Sequence, residues 1–379
     1  MQYLTFANFG YVLAIPVMVD YVSRSLQSGA ESYFFIITIT NAISAIIALF
    51  IGAYSDFYSR RSMLITSMFL KLIAWILFLA FPHFATFSIG FAMIIFGKDM
   101  CNTTACLYET MAAAGDEESY RKEEEKRYAY PQYGLMIGLP IAGLLYAQNP
   151  AWPFVLNMVI AAIGIITAYF YTEAAREKTR QSTPLALLAD SLLFLKNTHR
   201  MRWMTLYKGL MLAMMSIMIF VLQAGFLEVG GNITTFSFVI IGIYFIRAVS
   251  TQQAEKLFKY FSHPLDSLVL ILIGSCIFVF LIGLTQDVWT FTIITFIYMI
   301  FRGLQKPCLN FIHNDLLTSD KRATAFAASA LSMRFGKIIF NFIAGVTIAS
   351  YGVGATLMLI ALSAAIIGGS LLWLLRKAY

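Results

Sequence analysis

The stretch FIGAYSDFYSRRSMLITSMFLKLIAWILFLAFP, residues 50–82, closes one apolar run, turns through a few polar and charged residues, and opens another. The second run, 63–82, carries one charge, Lys71, in twenty residues. A helix of that length rises about 30 Å, the thickness of the hydrocarbon layer of a bilayer. Working outward from this pair, the same pattern recurs along the chain. Apolar runs cover 3–23, 31–54, 63–82, 87–112, 128–147, 152–172, 205–227, 233–252, 266–285, 289–311, 323–348 and 353–375.

Composition supports this reading. The chain has 379 residues, of which 59% are hydrophobic and 12% charged, and its mean hydropathy is +0.74. Soluble domains carry about 25% charged residues, and a single core stops growing near ~250–300 residues. These values exclude disorder, a nucleic-acid-binding module and a disulfide-rich secreted fold. The runs are continuous, whereas a membrane β-barrel would alternate in short segments. An all-α membrane protein with twelve transmembrane helices is expected.

The loops set its orientation. Arg60 and Arg61, Arg121, Lys122, Lys126 and Arg127, the 174–203 segment, Lys256 and Lys259, Lys321 and Arg322, and Arg376 and Lys377 all fall on one side, with Arg24 alone on the other. The positive-inside rule then places both termini in the cytoplasm. No cleavable leader is apparent at the N-terminus. Cys101, Cys106, Cys276 and Cys308 lie in apolar runs without metal-site spacing, so neither disulfides nor a metal are expected.

Internal repeats divide the chain. FIGAYSD (50–56) is echoed by FIRAVST (245–251), FAMIIFGKD (91–99) by FIYMIFRGL (296–304), and IAGLLYAQ (141–148) by IAGVTIAS (343–350). Each match joins runs six apart, at offsets of 195, 205 and 202 residues. The expected domains are a six-helix bundle at 1–173, a linker at 174–203 containing an amphipathic helix on the inner surface, and a second bundle at 204–379. The bundle interface is the default path for a solute.

The turn Gly52-Ala-Tyr-Ser-Asp56-Phe-Tyr-Ser-Arg60-Arg61 resembles the signature of the major facilitator superfamily, and the twelve runs, the repeat and the long central connection extend that resemblance to the whole chain. The resemblance implies two pseudo-symmetric six-helix bundles. It also implies a cytoplasmic latch in which Gly52 permits close helix contact, Asp56 pairs with Arg60 or Arg61 and faces the start of the eleventh span, and Glu109 completes the charge cluster. The second repeat has Arg247 for Gly52 and Thr251 for Asp56, so the latch is one-sided. Gly134-x3-Gly138-Leu-Pro140-Ile-Ala-Gly143 is similar to the signature of the superfamily's drug antiporters, without its final double glycine.

Ionisable residues inside spans are costly and are functional by default. Asp99 shares a helical face with Asn102, and that face would line the cavity in the family; it reads as a protonatable or substrate-contacting acid, or as a partner of Lys71 or Lys98. Asp20 reads as a proton site or as an ion pair with Arg24, and Asn41 as a polar cavity residue. Arg302 and Lys306 on span ten, with Arg334 and Lys337 on span eleven, suggest an anionic or zwitterionic substrate. The alternative is that the lysines extend to the interface and the arginines bond neighbouring helices.

No enzyme constellation or nucleotide-binding loop is visible, and no cofactor is expected beyond a proton or other ion gradient. The expected partners are the lipid bilayer, a small-molecule substrate and protons, with no nucleic acid and a monomeric state. The expected function is a secondary transporter of the bacterial inner (plasma) membrane working by alternating access, with proton-coupled export favoured. A broad-specificity multidrug/proton antiporter or a nutrient importer is the alternative.

Overall fold

A computed structural model describes residues 13–57, 59–100, 135–171, 199–261, 263–315 and 322–378, without the side chains of 48–57, Arg60, Asp99, Glu255, Phe258, Asn314, Asp315 and 322–328. Its helices are α1 (Met18–Ser25), α2 (Glu31–Phe57), α3 (Arg60–Ala80), α4 (Phe84–Met100), α5 (Leu135–Gln148), α6 (Trp152–Tyr169), α7 (His199–Glu228), α8 (Ile233–Gln252), α9 (Ala254–Tyr260), α10 (Pro264–Gly283), α11 (Val288–Asp315), α12 (Arg322–Ser363) and, after a π-helical turn at Ala364–Gly368, α13 (Gly369–Ala378). Seven apolar stretches among the described residues are long enough to cross a membrane, and three shorter ones lie at Glu31–Ile47, Phe84–Lys98 and Leu135–Gln148.

Local signals start these helices. Ser59 caps α3 by accepting from the Ser62 N–H at 3.1 Å. Asn232, the first residue of a glycosylation tripeptide, instead caps α8 by accepting from the Thr235 N–H at 2.8 Å. Asp287 accepts from the N–H groups of Trp289 and Thr290 at the start of α11, and the Thr290 bond holds its carboxyl below the usual range.

The outward faces are apolar. On α6, Val155, Val159, Ile163 and Ile166 form an exposed stripe, while Phe154, Asn157, Ala161, Gly164 and Ala168 turn inward. A soluble protein rarely leaves such a stripe open; a helix in lipid requires it. Helices α1 to α6 enclose an aromatic cluster of Tyr21, Trp75, Phe78, Phe87, Phe91 and Phe154. The later helices pack through small residues. A Cβ on Gly209 would meet Ser332, and one on Gly336 would meet Ala213, so α7 and α12 lie almost in backbone contact.

One boundary differs from expectation and another agrees with it. Residues 199–203 belong to α7 and not to the linker; the rest of the linker, with its expected amphipathic helix, lies outside the described residues. Spans eleven and twelve were expected to be separate runs with a break at 349–352, and the non-helical Gly352 divides α12 into two helical legs at that point. Gly352 has φ 81°, which glycine adopts without strain. The second leg starts there, and Glu228 from the end of α7 caps it by accepting from the Val353 N–H at 2.9 Å.

Just beyond the kink, α12 meets α10 backbone to backbone. A Cβ on Gly283 would lie 2.6 Å from the Gly354 carbonyl oxygen, and one on Gly354 would lie 2.8 Å from that of Gly283. Gly283→Ala or Gly354→Ala is expected to destabilise the purified protein by about 1–3 kcal/mol through overpacking. Gly369→Ala, where nothing lies within 4 Å, is expected to be neutral or slightly stabilising. Thermal unfolding in detergent measures both, and equal melting temperatures for all three variants would refute the close crossing.

Candidate functional site: the seam between the two helix groups

Helices α2 and α5 of the first group meet α12 and α8 of the second. A Cβ on Gly345 of α12 would lie 3.0 Å from the ring of Phe35 on α2, whose ring centroid is 6.3 Å from that of Phe342. A Cβ on Gly143 of α5 would lie 2.4 Å from the Cβ of Ser237 on α8. The two glycines occupy equivalent places in IAGLLYAQ and IAGVTIAS, 202 residues apart, and their partners Phe35 and Ser237 lie on the second segment of each repeat. The seam therefore follows the sequence repeat: the second segment of each group faces the fifth segment of the other.

Other cross-group contacts fall toward the same end. Tyr33 of α2 packs on Phe220 of α7 at 5.0 Å between ring centroids, and Gln223 Nε2 donates to the Pro16 carbonyl. Farther along α2, near its middle, Arg334 Nη1 of α12 donates to the Ser44 carbonyl at 2.9 Å. Ser44 Oγ in turn donates to the Asn41 carbonyl at 3.0 Å, and Asn41 Nδ2 to the Ile37 carbonyl at 2.7 Å. Arg334 is half-buried and has the half-buried Lys337 one turn away. Asn341 Nδ2 donates to the Lys337 carbonyl at 2.7 Å. Asn41, Ser44, Arg334 and Lys337 thus form a polar section of the seam.

The remaining sequence candidates divide into three groups. Asp20 accepts from Tyr146 Oη at 2.8 Å and pairs with Arg24 Nε at 2.7 Å, which ties α1 to α5. Arg302 is buried, and its Nη2 donates to the Met215 carbonyl at 2.5 Å, a bond within the second helix group. Lys306, one turn on, is exposed, while His313 is buried with its Nε2 3.3 Å from Ser329 Oγ on α12. Gly52 and Asp56 lie in the last turns of α2, Arg60 opens α3 and Asp99 ends α4, all four with side chains outside the described set. Arg61 stacks on Tyr169, its guanidinium carbon 4.4 Å from the ring centre. Asn102 and Glu109 lie outside the described residues.

Tyr146 and Ser44 escaped the sequence reading. Neither carries a charge, and only the packed structure shows that Tyr146 reaches Asp20 and that a backbone carbonyl of α2 receives Arg334. Arg247 did carry a signal, a guanidinium inside an apolar run, but it was read as the loss of a glycine.

No protein-family model and no curated protein sequence matches the chain. Solved structures do match along its whole length. The nucleoside transporter NupG superposes with a TM-score of 0.80 at 13% identity, covering 98% of this chain and 97% of that one. A POT family transporter in complex with 5-aminolevulinic acid gives 0.73 at 14% identity, covering 99% and 95%. A bacterial homolog of the human lysosomal transporter Spinster, in an inward-facing and occupied conformation, gives 0.73 at 11% identity, covering 100% and 95%. At such identities the likeness establishes the fold, and that fold is the all-α major facilitator architecture.

The closeness of the seam is testable. With Gly143→Cys and Ser237→Cys introduced together, the helices need to part by only about 1–2 Å to reach disulfide geometry. Mild oxidation is expected to join them, seen by mass spectrometry as a linked peptide pair. Persistent reactivity of both thiols toward maleimide would contradict a closed seam at this end.

Proposed function

We propose that the protein is a secondary transporter that carries a small anionic or zwitterionic solute by alternating access between the helices up to α6 and those from α7 onward. The observation that carries this reading is the seam. Its two repeat-related contacts, Gly143 with Ser237 and Phe35 with Gly345, lie toward one end of the bundle, where two rocking units would close. The fold it shares from end to end with nucleoside, peptide and Spinster-type transporters supports the same class. With both termini in the cytoplasm, the closed end is the outer one.

Arg334 is the residue we place at the solute. Its guanidinium reaches across the seam to a neutral carbonyl, and an anionic oxygen is a stronger acceptor for the same donor. Lys337 and Asn41 flank it. Of the two acids considered as proton carriers, Asp20 is committed to Arg24 and Tyr146, which leaves Asp99. Gly52, Asp56, Arg60, Arg61 and Glu109 form the latch at the inner end. Proton-coupled export from the bacterial inner membrane follows as the working direction. Arg302 is the observation on the other side: its bond to a carbonyl of its own group removes one cation from the seam and favours a broad-specificity antiporter in which charge matters less.

The experiment is uptake and efflux in proteoliposomes under an imposed pH gradient, across a panel of carboxylates, phosphates, zwitterions and cationic dyes. An anionic or zwitterionic solute is expected to move, and Arg334→Gln to weaken its apparent affinity by about 1.5–3 kcal/mol, the scale of a hydrogen bond to a charged group. Transport of cationic dyes alone would overturn the anion reading. In a second measurement, Asp99→Asn is expected to abolish gradient-driven accumulation while retaining solute exchange, because a neutral amide imitates the protonated acid. Unchanged pH dependence in that variant would remove Asp99 from the coupling.

A further inference from the structure

Helices α8 and α11 meet at a joint whose charge the seam does not use. Gly303 of α11 faces Arg247 of α8 so closely that a Cβ would lie 2.6 Å from the Arg247 carbonyl oxygen. Pro307, four residues on, has no N–H to offer the Gly303 carbonyl, and Thr251 Oγ1 shares its hydrogen between that oxygen at 3.0 Å and the Arg247 carbonyl at 2.8 Å. This approach brings Arg247 within electrostatic range of Arg302, the neighbour of Gly303, and Tyr298 within range of both. In the first repeat the positions equivalent to Arg247 and Arg302 are Gly52 and Gly97. Both cations are additions of the second copy.

Tyr298, Arg302 and Gln305 follow one another along a single face of α11 and are 1%, 6% and 1% exposed. Arg302 spends Nη2 on the Met215 carbonyl, yet its Nε, the Tyr298 hydroxyl and Gln305 Nε2 have no hydrogen-bond partner among the described residues. Arg247 leans over the Tyr244 ring at 5.7 Å. The described carboxylates of the second helix group are engaged elsewhere: Glu228 at the Val353 N–H, Asp266 with Arg376, and Asp287 at the start of α11. The joint therefore gathers two like charges and three unanswered polar groups in apolar surroundings. Buried donors are nearly always matched, and neighbouring buried cations persist when a counter-charge stands with them.

We propose that Arg247, which is half-buried, and the buried Tyr298, Arg302 and Gln305 form a binding site for a small inorganic anion such as a halide, nitrate or phosphate. The bound anion neutralises the two guanidiniums and holds α8 against α11. The site is independent of which solute crosses the seam and of the direction of transport.

The test uses the purified full-length protein in detergent, melted at constant ionic strength while gluconate is replaced stepwise by chloride, bromide, nitrate or phosphate. At least one of these anions is expected to raise the melting temperature saturably. Arg247→Gln and Arg302→Gln should abolish the saturable part, and Tyr298→Phe, which removes one donor and keeps the ring, should shift its midpoint by about 3–10-fold. Lys256→Gln, a cation on the exposed face of α9, should leave the midpoint unchanged. The proposal fails if stabilisation in the wild type rises without saturation for every salt. It also fails if Tyr298→Phe keeps the wild-type midpoint, a readout that stands even where the arginine variants do not fold.

Discussion

A backbone amide inside hydrocarbon has no water to turn to, so each one must find its partner within the protein. That constraint makes the chain a series of helices and explains what happens wherever a helix is interrupted. At Pro307 the ladder of α11 loses a donor, and Thr251 from α8 serves the Gly303 carbonyl. At Gly352 the direction of α12 changes, and Glu228 from α7 serves the freed Val353 N–H. Each repair comes from a neighbouring helix, so each irregularity also fixes a tertiary contact. The joints of the second helix group are made at the places where its ladders break.

With lipid on the outside there is little hydrophobic gain in pressing one apolar helix on another, and close fit decides which pairs form. Glycines provide that fit at three different levels. Gly283 and Gly354 let two backbones cross, Gly303 brings two cations together, and Gly143 and Gly345 set the seam. The last pair shows how a duplicated chain diversifies. Both glycines persist at equivalent positions, yet one faces a serine and the other a phenylalanine. The geometry of the contact is shared while the chemistry across it differs, so the two sides of the seam need not part with equal ease.

Much of this was legible because a span is a matter of length and polarity alone. The run read as 233–252 coincides with α8, and 152–172 and 266–285 lie within a few residues of α6 and α10. The division of α12 was legible too, since the gap read at 349–352 contains Gly352, the residue whose positive φ separates the two legs. Helical spacing puts Arg302 and Lys306 one turn apart on the tenth span, but it carries no information about what that face meets. In the fold the face divides: Arg302, Gln305 and His313 are buried, and Lys306 at its edge is exposed. The partners of Arg334 and Asp20 were beyond reach for a similar reason, because a carbonyl on α2 and a tyrosine on α5 have no signature as acceptors or donors. The repeat was the most informative long-range signal, since it identified the equivalent glycines, Gly143 and Gly345, that each face the other group across the seam.

The two arginines of the site show why position relative to the seam matters more than charge. In a low-dielectric interior a guanidinium is tolerable only where acceptors answer its donors. Arg302 finds Met215 within its own helix group, so that bond travels with it if the two groups move as units. Arg334 finds Ser44 on the other side, and the bond exists only while α2 and α12 stay together at that level. Parting the seam there would remove an acceptor from a half-buried cation, and the cost falls if an anionic group takes its place. A ligand that supplies such a group changes the relative stability of the two arrangements through Arg334, whereas the same charge placed beside Arg302 stabilises both alike. Differential affinity is the only means by which a ligand can shift a conformational equilibrium, and of the two guanidiniums Arg334 is the one whose surroundings would change if the two groups moved apart.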